Sequence, residues 1–133
     1  MQGNYKHSEL TERIIGSAMK VHRYFGPGFR EEIYERSLLI ELKNEGLNCS
    51  SQITRNIFYE DEKVGHSKLD LLVEDKVLVE LKAVSELTSE SLNRILNYLN
   101  VFKIEVGLLI NFGMQSLQFK RFVYSKPENW LKL

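Results

Sequence analysis

Two short apolar segments flank a polar turn near the middle of this chain of 133 residues. Residues 68–84 read Lys-Leu-Asp-Leu-Leu-Val-Glu-Asp-Lys-Val-Leu-Val-Glu-Leu-Lys-Ala-Val. Such runs predict two central strands of a sheet, joined as a hairpin by a turn near residues 75–76. Three charged residues, Asp70, Glu80 and Lys82, lie inside these strands, where burial of an unpaired charge is costly. Strands that carry three such groups need a partner or a metal.

Periodic apolar residues predict three helices around this hairpin. The first begins at Thr11, a good N-cap, and ends at residues 26–28, where a proline between two glycines prevents continuation. The second runs from about residue 29 to residue 45, with Gly46 as its C-terminal cap. The third begins at Thr88, and its apolar face extends over about four turns.

Three further segments predict strands. Residues 50–59 alternate weakly and are followed by a loop at residues 60–63. The apolar run 106–111 is typical of a strand buried on both faces, and residues 118–124 predict a last strand. The order of elements is therefore α, α, β, β, β, α, β, β. A helix between the third and fourth strands implies a crossover, so we expect an α/β fold with a central mixed sheet flanked by helices.

Composition limits the class of protein. Eighteen Lys and Arg balance eighteen Asp and Glu, so no overall positive field indicates nucleic acid. The length and the hydrophobic fraction of 43% predict one soluble domain over residues 1–133. No run has the ~20 apolar residues of a membrane helix, and the N-terminal residues lack the apolar core of a secretory signal. A lone Cys49 cannot form an internal disulfide, so we expect a cytoplasmic setting.

The hairpin brings its charged residues together only in certain registers. Alternation puts Glu80 and Lys82 on one face of the second strand. Asp70 joins them if the connecting loop has an odd number of residues, for example three at residues 75–77. That register sets Asp70 opposite Lys82 and Glu80 diagonal to it, at roughly 7–8 Å between Cα atoms, so that both carboxylates reach one cation. A two-residue turn puts the two carboxylates on opposite faces.

A carboxylate on the second helix completes the candidate set. Glu31 heads the apolar stripe of that helix, so we expect it to face the core side, where it caps the helix N-terminus or points into a site on the sheet. Oxygen ligands such as Asp70, Glu80 and Glu31 select a hard cation, and Mg²⁺ takes one or two carboxylates and shares its shell with substrate phosphate. Lys82 would orient a water or stabilise charge on the phosphate. This pattern indicates phosphodiester hydrolysis.

Several segments together resemble a known family. They are Gly28-Phe-Arg-Glu31-Glu-Ile-Tyr34, a Gly-x-x-Glu-x-x-Tyr motif, with Leu69-Asp70-Leu-Leu-Val, Val79-Glu80-Leu-Lys82-Ala-Val, Asn97-Tyr98-Leu99 and Gly107-Leu-Leu-Ile-Asn-Phe112. In this order they resemble the GxxExxY family of the PD-(D/E)XK nuclease superfamily. The resemblance extends over residues 10–111, which is most of the chain.

The resemblance implies a restriction-endonuclease-like αβββαβ core, to which this chain adds an N-terminal helix and a C-terminal strand. In such a core, Asp70 and Glu80 would hold Mg²⁺, for which Mn²⁺ is a substitute. Lys82 would assist the attacking water, and Glu31 would be the additional acidic residue on the helix. The order of strands predicted from periodicity agrees with that core.

Other polar residues have two interpretations. Arg94 stands where a glutamine is common in the family, and it either binds a phosphate or is a solvated helix charge. Lys68 stands where arginine is common, and with Arg94 and Tyr98 it is a candidate substrate contact. We assign Tyr34 to the core, because aromatic residues at helical spacing more often pack there. The basic pair at residues 120–121 is more typical of an edge strand than of a phosphate site.

The sequence therefore predicts a Mg²⁺-dependent phosphodiesterase that hydrolyses DNA or RNA. The alternative is a non-catalytic module that keeps the nuclease fold and binds nucleic acid or protein. The intact set of two acids and a lysine favours the enzyme. Because the net charge is zero and no separate recognition domain is evident, we expect a partner protein or a homo-oligomer to contribute to binding.

Overall fold

The structure, a computed structural model, describes residues 6–124, and the elements follow the predicted order. They are α1 (Ser8–Phe25), α2 (Glu31–Asn44), β1 (Cys49–Tyr59), β2 (Glu62–Val73), β3 (Val77–Lys82), α3 (Ser89–Phe102), β4 (Val106–Asn111) and β5 (Gln118–Val123). The predicted single domain of residues 1–133 includes residues 1–5 and 125–133, which lie outside the described residues. Among residues 6–124, no helix has both the length and the apolar content needed to cross a membrane.

The five strands form one mixed sheet in the order β1-β2-β3-β4-β5. The pair β3–β4 is parallel and is connected by α3, whereas β1–β2, β2–β3 and β4–β5 are antiparallel. Helices α1 and α2 pack on one face with the larger apolar cluster, and α3 packs on the other face with the smaller one. The predicted α/β architecture is confirmed.

Strand β3 is the centre of this arrangement. Val77, Val79 and Leu81 belong to the cluster of α1 and α2, whereas Leu78 belongs to the cluster of α3. Every residue of β4 is buried, as expected for a strand that helices cover on both faces. The alternation along β3 places its two charged residues, Glu80 and Lys82, on the same face as Leu78.

The helix ends confirm two predicted caps and correct a third. Gly46 ends α2 with a φ of +79°, and its N–H donates to the Lys43 carbonyl at 2.9 Å. Thr88 caps α3, since its Oγ1 accepts the Ser91 N–H at 3.2 Å. The predicted N-cap Thr11 is wrong: α1 begins one turn earlier, and the buried Thr11 hydroxyl donates to the Ser8 carbonyl at 3.0 Å.

The β1–β2 hairpin is longer than predicted. The expected loop at residues 60–63 is wrong, because the turn contains only Glu60 and Asp61, with φ of 47° and 72°, and β2 begins directly after it. Two left-handed residues are typical of the tight turn that matches the twist of paired strands. Strand β3 pairs with β2 only at residues 71–73, so the outer part of the hairpin has no third strand. We call this outer part, residues 54–68, the arm.

The ends of β3 and β4 are tied together by one buried side chain. Asn111 Oδ1 accepts the N–H groups of Val84 and Gly113, each at 3.0 Å. The backbone at Gly113 passes so close that a Cβ there would lie 2.4 Å from Val84 backbone atoms. The Phe112 N–H also donates to the Lys82 carbonyl at 2.8 Å. These bonds fix the strand end that carries Lys82.

Candidate functional site

The turn between β2 and β3 sets the register of the hairpin. Three residues, 74–76, connect Val73 to Val77, so the predicted odd loop is confirmed. The ladder pairs Leu71 with Val79, and continuing it sets Asp70 opposite Glu80. The prediction that Asp70 lies opposite Lys82 is therefore wrong by two residues of β3, because the turn lies one residue earlier than predicted.

The shift has a tertiary cause. Glu74 leaves the β2–β3 ladder and bonds to Asn48 before β1: its N–H donates to the Asn48 carbonyl at 2.8 Å. Its Oε2 accepts the Asn48 N–H at 2.7 Å. Glu74 thus begins the turn one residue earlier than the apolar pattern indicated.

The two carboxylates replace ladder hydrogen bonds at the point where β2 and β3 separate. The Asp70 N–H donates to Glu80 Oε2 at 3.0 Å, and the Leu81 N–H donates to Asp70 Oδ2 at 2.9 Å. Each carboxylate is therefore held by a backbone donor of the neighbouring strand. Such bonds fix the side chains in place without a flexible partner.

On the other side of Asp70, the β1–β2 ladder is interrupted at Gln52. The register passes from Ser51–Leu71 to Ile53–Leu69 and omits the Gln52–Asp70 pair, and Gln52 has a φ of 50°. The Gln52 Nε2 donates to both carboxylate oxygens of Glu35 on α2 at 3.0 Å. A left-handed non-glycine residue within a strand is uncommon and indicates a constrained position.

These residues open onto a polar cavity of about 670 Å³ between α2 and the sheet. Its lining comprises Arg30, Glu31, Glu32, Glu35, Arg36, Leu39, Ser51, Gln52 and Asp70. A neighbouring cavity of about 360 Å³ is lined by Lys82 and, from α3, by Glu90, Ser91 and Arg94. The candidate site therefore lies where β2 and β3 separate, between α2 on one side and α3 on the other.

Burial dominates the electrostatics of the acids. Glu80 is 6% exposed. Its burial, with the Asp70 charge beside it, raises the pKa of Glu80 to about 8. Burial likewise raises the pKa of Asp70, against the hydrogen bond from Leu81 and the nearby charge of Arg94. It also raises the pKa of Glu31 and of Glu35. The site concentrates carboxylates that are poorly solvated, so a bound cation would relieve an existing cost.

Two cations face these acids. The charges of Arg94 and Lys82 act to lower the pKa of Asp70 and of Glu80. Arg94 is exposed, and its Cζ lies 5.2 Å from the centre of the Tyr98 ring. Tyr98 is half-buried against the apolar cluster of α3. Arg94 is thus oriented by Tyr98 while its charge reaches the carboxylates.

Two candidate residues, Glu31 and Lys68, lie away from the centre of the site. Glu31 is exposed and does not face the core, because it is the first residue of α2 and projects at the rim of the larger cavity. The charges of Lys82 and Asp70 act on the pKa of Glu31, and Glu31 lines the same cavity as Asp70. Lys68 is exposed opposite Thr54 and lines neither cavity beside Asp70.

The core assignment of Tyr34 is confirmed. Its side chain is fully buried, and its ring stacks on Phe112 at 4.7 Å. Its hydroxyl donates to the Gly26 carbonyl at 2.5 Å and accepts the Phe29 N–H at 3.2 Å. The tyrosine of the Gly-x-x-Glu-x-x-Tyr motif thereby holds the turn before α2, which carries Glu31.

Two residues of the site were not predicted from the sequence. Glu35 lies one helical turn after Glu31, and that spacing could have indicated it. Gln52 gave no signal, because most of β1 is exposed and its apolar residues alternate only weakly. Within residues 6–124, no group of three or more His, Cys, Asp or Glu side chains is arranged to hold a metal ion. Asp70 and Glu80 are the two acids of the site that backbone N–H groups of the adjacent strand hold directly.

Comparisons with known proteins agree with this geometry. A model of the PD-(D/E)XK nuclease superfamily matches residues 8–122. The crystal structure of SSO0001 is similar, with a TM-score of 0.55 and 17% sequence identity over 73% of this chain and 51% of that one. This chain thus spans about half of that protein, and the likeness supports the restriction-endonuclease-like fold. No sequence among the curated proteins matches. Since the family model covers nearly all the described elements, the chain belongs to the PD-(D/E)XK nuclease superfamily.

Proposed function

We propose that this protein is a divalent-metal-dependent phosphodiesterase that hydrolyses DNA or RNA. The observation that carries the proposal is the pair of Asp70 and Glu80. The backbone of the neighbouring strand holds each of these carboxylates beside Lys82. Superfamily membership suggests a nuclease, and we propose this pair of carboxylates as its catalytic site. We further propose that residues 1–133 act as one catalytic domain.

The donor set suits a hard cation. Backbone N–H groups engage Asp70 Oδ2 and Glu80 Oε2, so the second oxygen of each carboxylate is the candidate ligand. Mg²⁺ typically accepts one or two protein carboxylates and completes its shell with water and substrate phosphate, and Mn²⁺ accepts similar oxygen ligands. Glu31, at the rim beside Asp70, is the candidate third acid. A site with two central carboxylates is compatible with the lack of a three-ligand group in the described part of the chain.

The proposed reaction is hydrolysis of a phosphodiester. A divalent cation in the site would polarise the phosphate and make a water more acidic. The water oxygen bonds to phosphorus, the bond from phosphorus to the leaving ester oxygen breaks, and that oxygen takes up a proton. Lys82 would orient the water or stabilise the negative charge that develops on the phosphate. Arg94, oriented by Tyr98, would bind a flanking phosphate.

One observation favours the alternative of a non-catalytic module. Residues 6–124 contain no preformed group of three metal-ligating side chains, and a protein that had lost turnover would not need one. Such a module would still bind nucleic acid or protein through the same fold. The zero net charge of the chain also supports a partner protein or a second copy as a contributor to binding.

Titration of Mn²⁺ by calorimetry or electron paramagnetic resonance tests the metal site. Asp70→Asn and Glu80→Gln remove one charge each and keep an oxygen that can accept the observed hydrogen bond. We expect each variant to lose at least tenfold in Mn²⁺ affinity. Glu62→Gln, an exposed acid on the same hairpin, is the matched control and should bind as the wild type does.

The same variants are then assayed on single-stranded and double-stranded DNA and RNA, with Mg²⁺ or with EDTA. We expect cleavage that needs Mg²⁺, is lost in Asp70→Asn and Glu80→Gln, and persists in Glu62→Gln. Equal Mn²⁺ affinity in all four proteins would overturn the metal assignment. Metal binding without cleavage of any substrate would favour the non-catalytic module.

A further inference from the structure

The arm presents one face whose composition differs from the rest of the hairpin. Strand pairing sets Thr54 opposite Lys68, Asn56 opposite His66 and Phe58 opposite Lys63. Residues opposite each other in a ladder share a face, so these six side chains form one surface. All six are exposed. We call this surface the arm face.

A β-bulge places Lys63 on the arm face. The register changes between Ile57–Gly65 and Phe58–Lys63, which leaves Val64 as an extra residue in β2. Without the extra residue, strict alternation would put Lys63 on the opposite face. The bulge thus adds a cation opposite Phe58, an aromatic side chain that is 59% exposed.

The arm face carries cations and hydrogen-bonding groups and no carboxylate. The opposite face contains Ile53, Arg55, Ile57, Tyr59, Glu62 and Ser67. The ion pairs found within residues 6–124 involve neither Lys63 nor His66 nor Lys68. The charges of Lys63 and Lys68 are therefore available to an anionic ligand, and the only acids of the arm are at its tip, at residues 60–62.

The arm face opens on the side of the sheet where the larger cavity lies. On the opposite face, Ile53 and Leu69 pack with the apolar cluster of α3. The arm face therefore lies on the α2 side, where Glu31, Glu35 and Asp70 line the cavity. Lys68 is two residues from Asp70 along β2. A ligand that follows the arm would arrive directly at the candidate site.

We propose that the arm face binds the phosphate backbone of a nucleic acid and guides it to the Asp70 site, an inference that rests on the proposed function. Four carboxylates and two arginines line the larger cavity, so its excess of acids disfavours phosphate and a polynucleotide needs further cations outside the cavity to hold it. From Thr54 to Phe58 the strand rises about 13 Å, roughly four nucleotide steps of a helical strand. Phe58 offers a ring on which a base stacks. The acidic tip directs the polynucleotide across the arm face and away from the turn.

Fluorescence anisotropy with labelled 20-mers tests this surface without any catalysis. Binding of single-stranded DNA, single-stranded RNA and duplex DNA is measured in EDTA at low salt and during a salt titration. Lys63→Ala combined with Lys68→Ala should weaken binding at least tenfold. The slope of log K against log salt should become less negative by about 1.4 to 1.8, the value for two lost phosphate contacts.

Arg55→Ala is the matched control, because it removes a cation from the opposite face of the same arm. It should change affinity less than twofold, and circular dichroism should show that all variants fold. Phe58→Ala should weaken binding of single strands more than binding of duplex, because stacking needs an unpaired base.

The outcomes separate this inference from the proposed function. Equal effects of Arg55→Ala and of the double lysine variant, or no effect of either, would overturn the arm face as a binding surface. A second result would also overturn it. If Phe58→Ala left nucleic-acid binding unchanged but converted a dimer of the protein to a monomer, the arm would be assigned to contact with a second copy of the chain. If the lysine variant loses binding while Glu80→Gln leaves Mn²⁺ affinity unchanged, the arm face stands and the metal site fails.

Discussion

The inner and outer parts of β2 have opposite environments within one continuous strand. The inner part, Leu71–Val73, is paired on both sides and buried, with Leu71 and Val73 0% exposed. The outer part pairs only with β1, and there Val64 is 63% exposed. Asp70 lies at the border, where the ladders on both sides are interrupted. If both proposals above hold, the inner part of β2 serves stability, the outer part serves recognition and the border at Asp70 serves chemistry.

Lys82→Ala should give the largest effect if the border is a catalytic site. Its side chain lies beside the carboxylates at the fixed end of β3, and loss of one group that stabilises developing charge costs about 10²–10³ in rate. Mn²⁺ affinity should stay within about threefold of the wild type. Single-turnover cleavage and Mn²⁺ titration measure the two quantities. If Lys82 only neutralises Glu80, its removal should instead lower the melting temperature, and there should be no cleavage for the variant to lose.

The inner and outer parts of β2 can be compared directly by two substitutions, Leu71→Ala and Val64→Ala. Truncating the buried leucine should cost about 2–5 kcal/mol of unfolding free energy, because it leaves a cavity in the core. Truncating the exposed valine should change stability by about 0.5 kcal/mol or less. Urea denaturation followed by circular dichroism measures both. Similar losses in the two variants would contradict the division of the strand.

The pH dependence of stability tests the border carboxylates. The pKa of Glu80 is 4.5 when unfolded and about 8 when folded, so the folded protein binds this proton more tightly. The corresponding stability is present below pH 4.5 and is lost as the pH rises through about 8. In EDTA, the melting temperature should therefore fall between pH 5 and pH 9, and Glu80→Gln should flatten the fall.

Part of that pH slope should remain in Glu80→Gln. Burial also raises the pKa of Asp70, of Glu31 and of Glu35, and these shifts have the same sign. Glu62→Gln should reproduce the wild-type slope. A Glu80→Gln profile parallel to that of the wild type would show that Glu80 is already ionised in the folded protein.

Gln52 should have the smallest effect of these positions. Its side chain holds Glu35 and also supports the Asp70 carboxylate by a hydrogen bond, so Gln52→Ala should lower Mn²⁺ affinity about tenfold, as loss of a group that supports a ligand typically does. Gln52→Gly also removes the side chain but suits the left-handed backbone. Both variants should lose affinity to a similar extent if the amide matters. Recovery in the glycine variant alone would assign the effect to backbone strain.

The sequence predicted those features that depend on local periodicity. The eight elements, the mixed sheet and the odd number of residues in the loop follow from patterns within short segments, as does the expectation that Asp70 and Glu80 lie near each other. The register differed by two residues because the turn begins one residue earlier, where Glu74 bonds to Asn48, a contact 26 residues away along the chain. Such a contact cannot be inferred from the alternation of apolar and polar residues along a strand.

The arm and Gln52 were missed for a related reason. A strand that is mostly exposed has few buried apolar residues to mark its register, so β1, in which only Cys49, Ile53 and Ile57 are partly buried, gave a weak signal. Glu31 was expected to face the core because it shares a stripe with Tyr34, but a first-turn residue projects beyond the packed part of its helix. Its approach to Asp70 arises from how α2 lies on the sheet.

The close approach of the Gly113 and Val84 backbones limits which residues position 113 can tolerate. Any side chain at this position would collide with the backbone of Val84, and the displaced segment would release the bonds that Asn111 makes to both residues. In a scan of all single substitutions selected for activity, position 113 should therefore be as depleted as Asp70 or Lys82. Its intolerance would reflect geometry alone, so depletion in such a scan is not by itself a map of the residues that touch substrate.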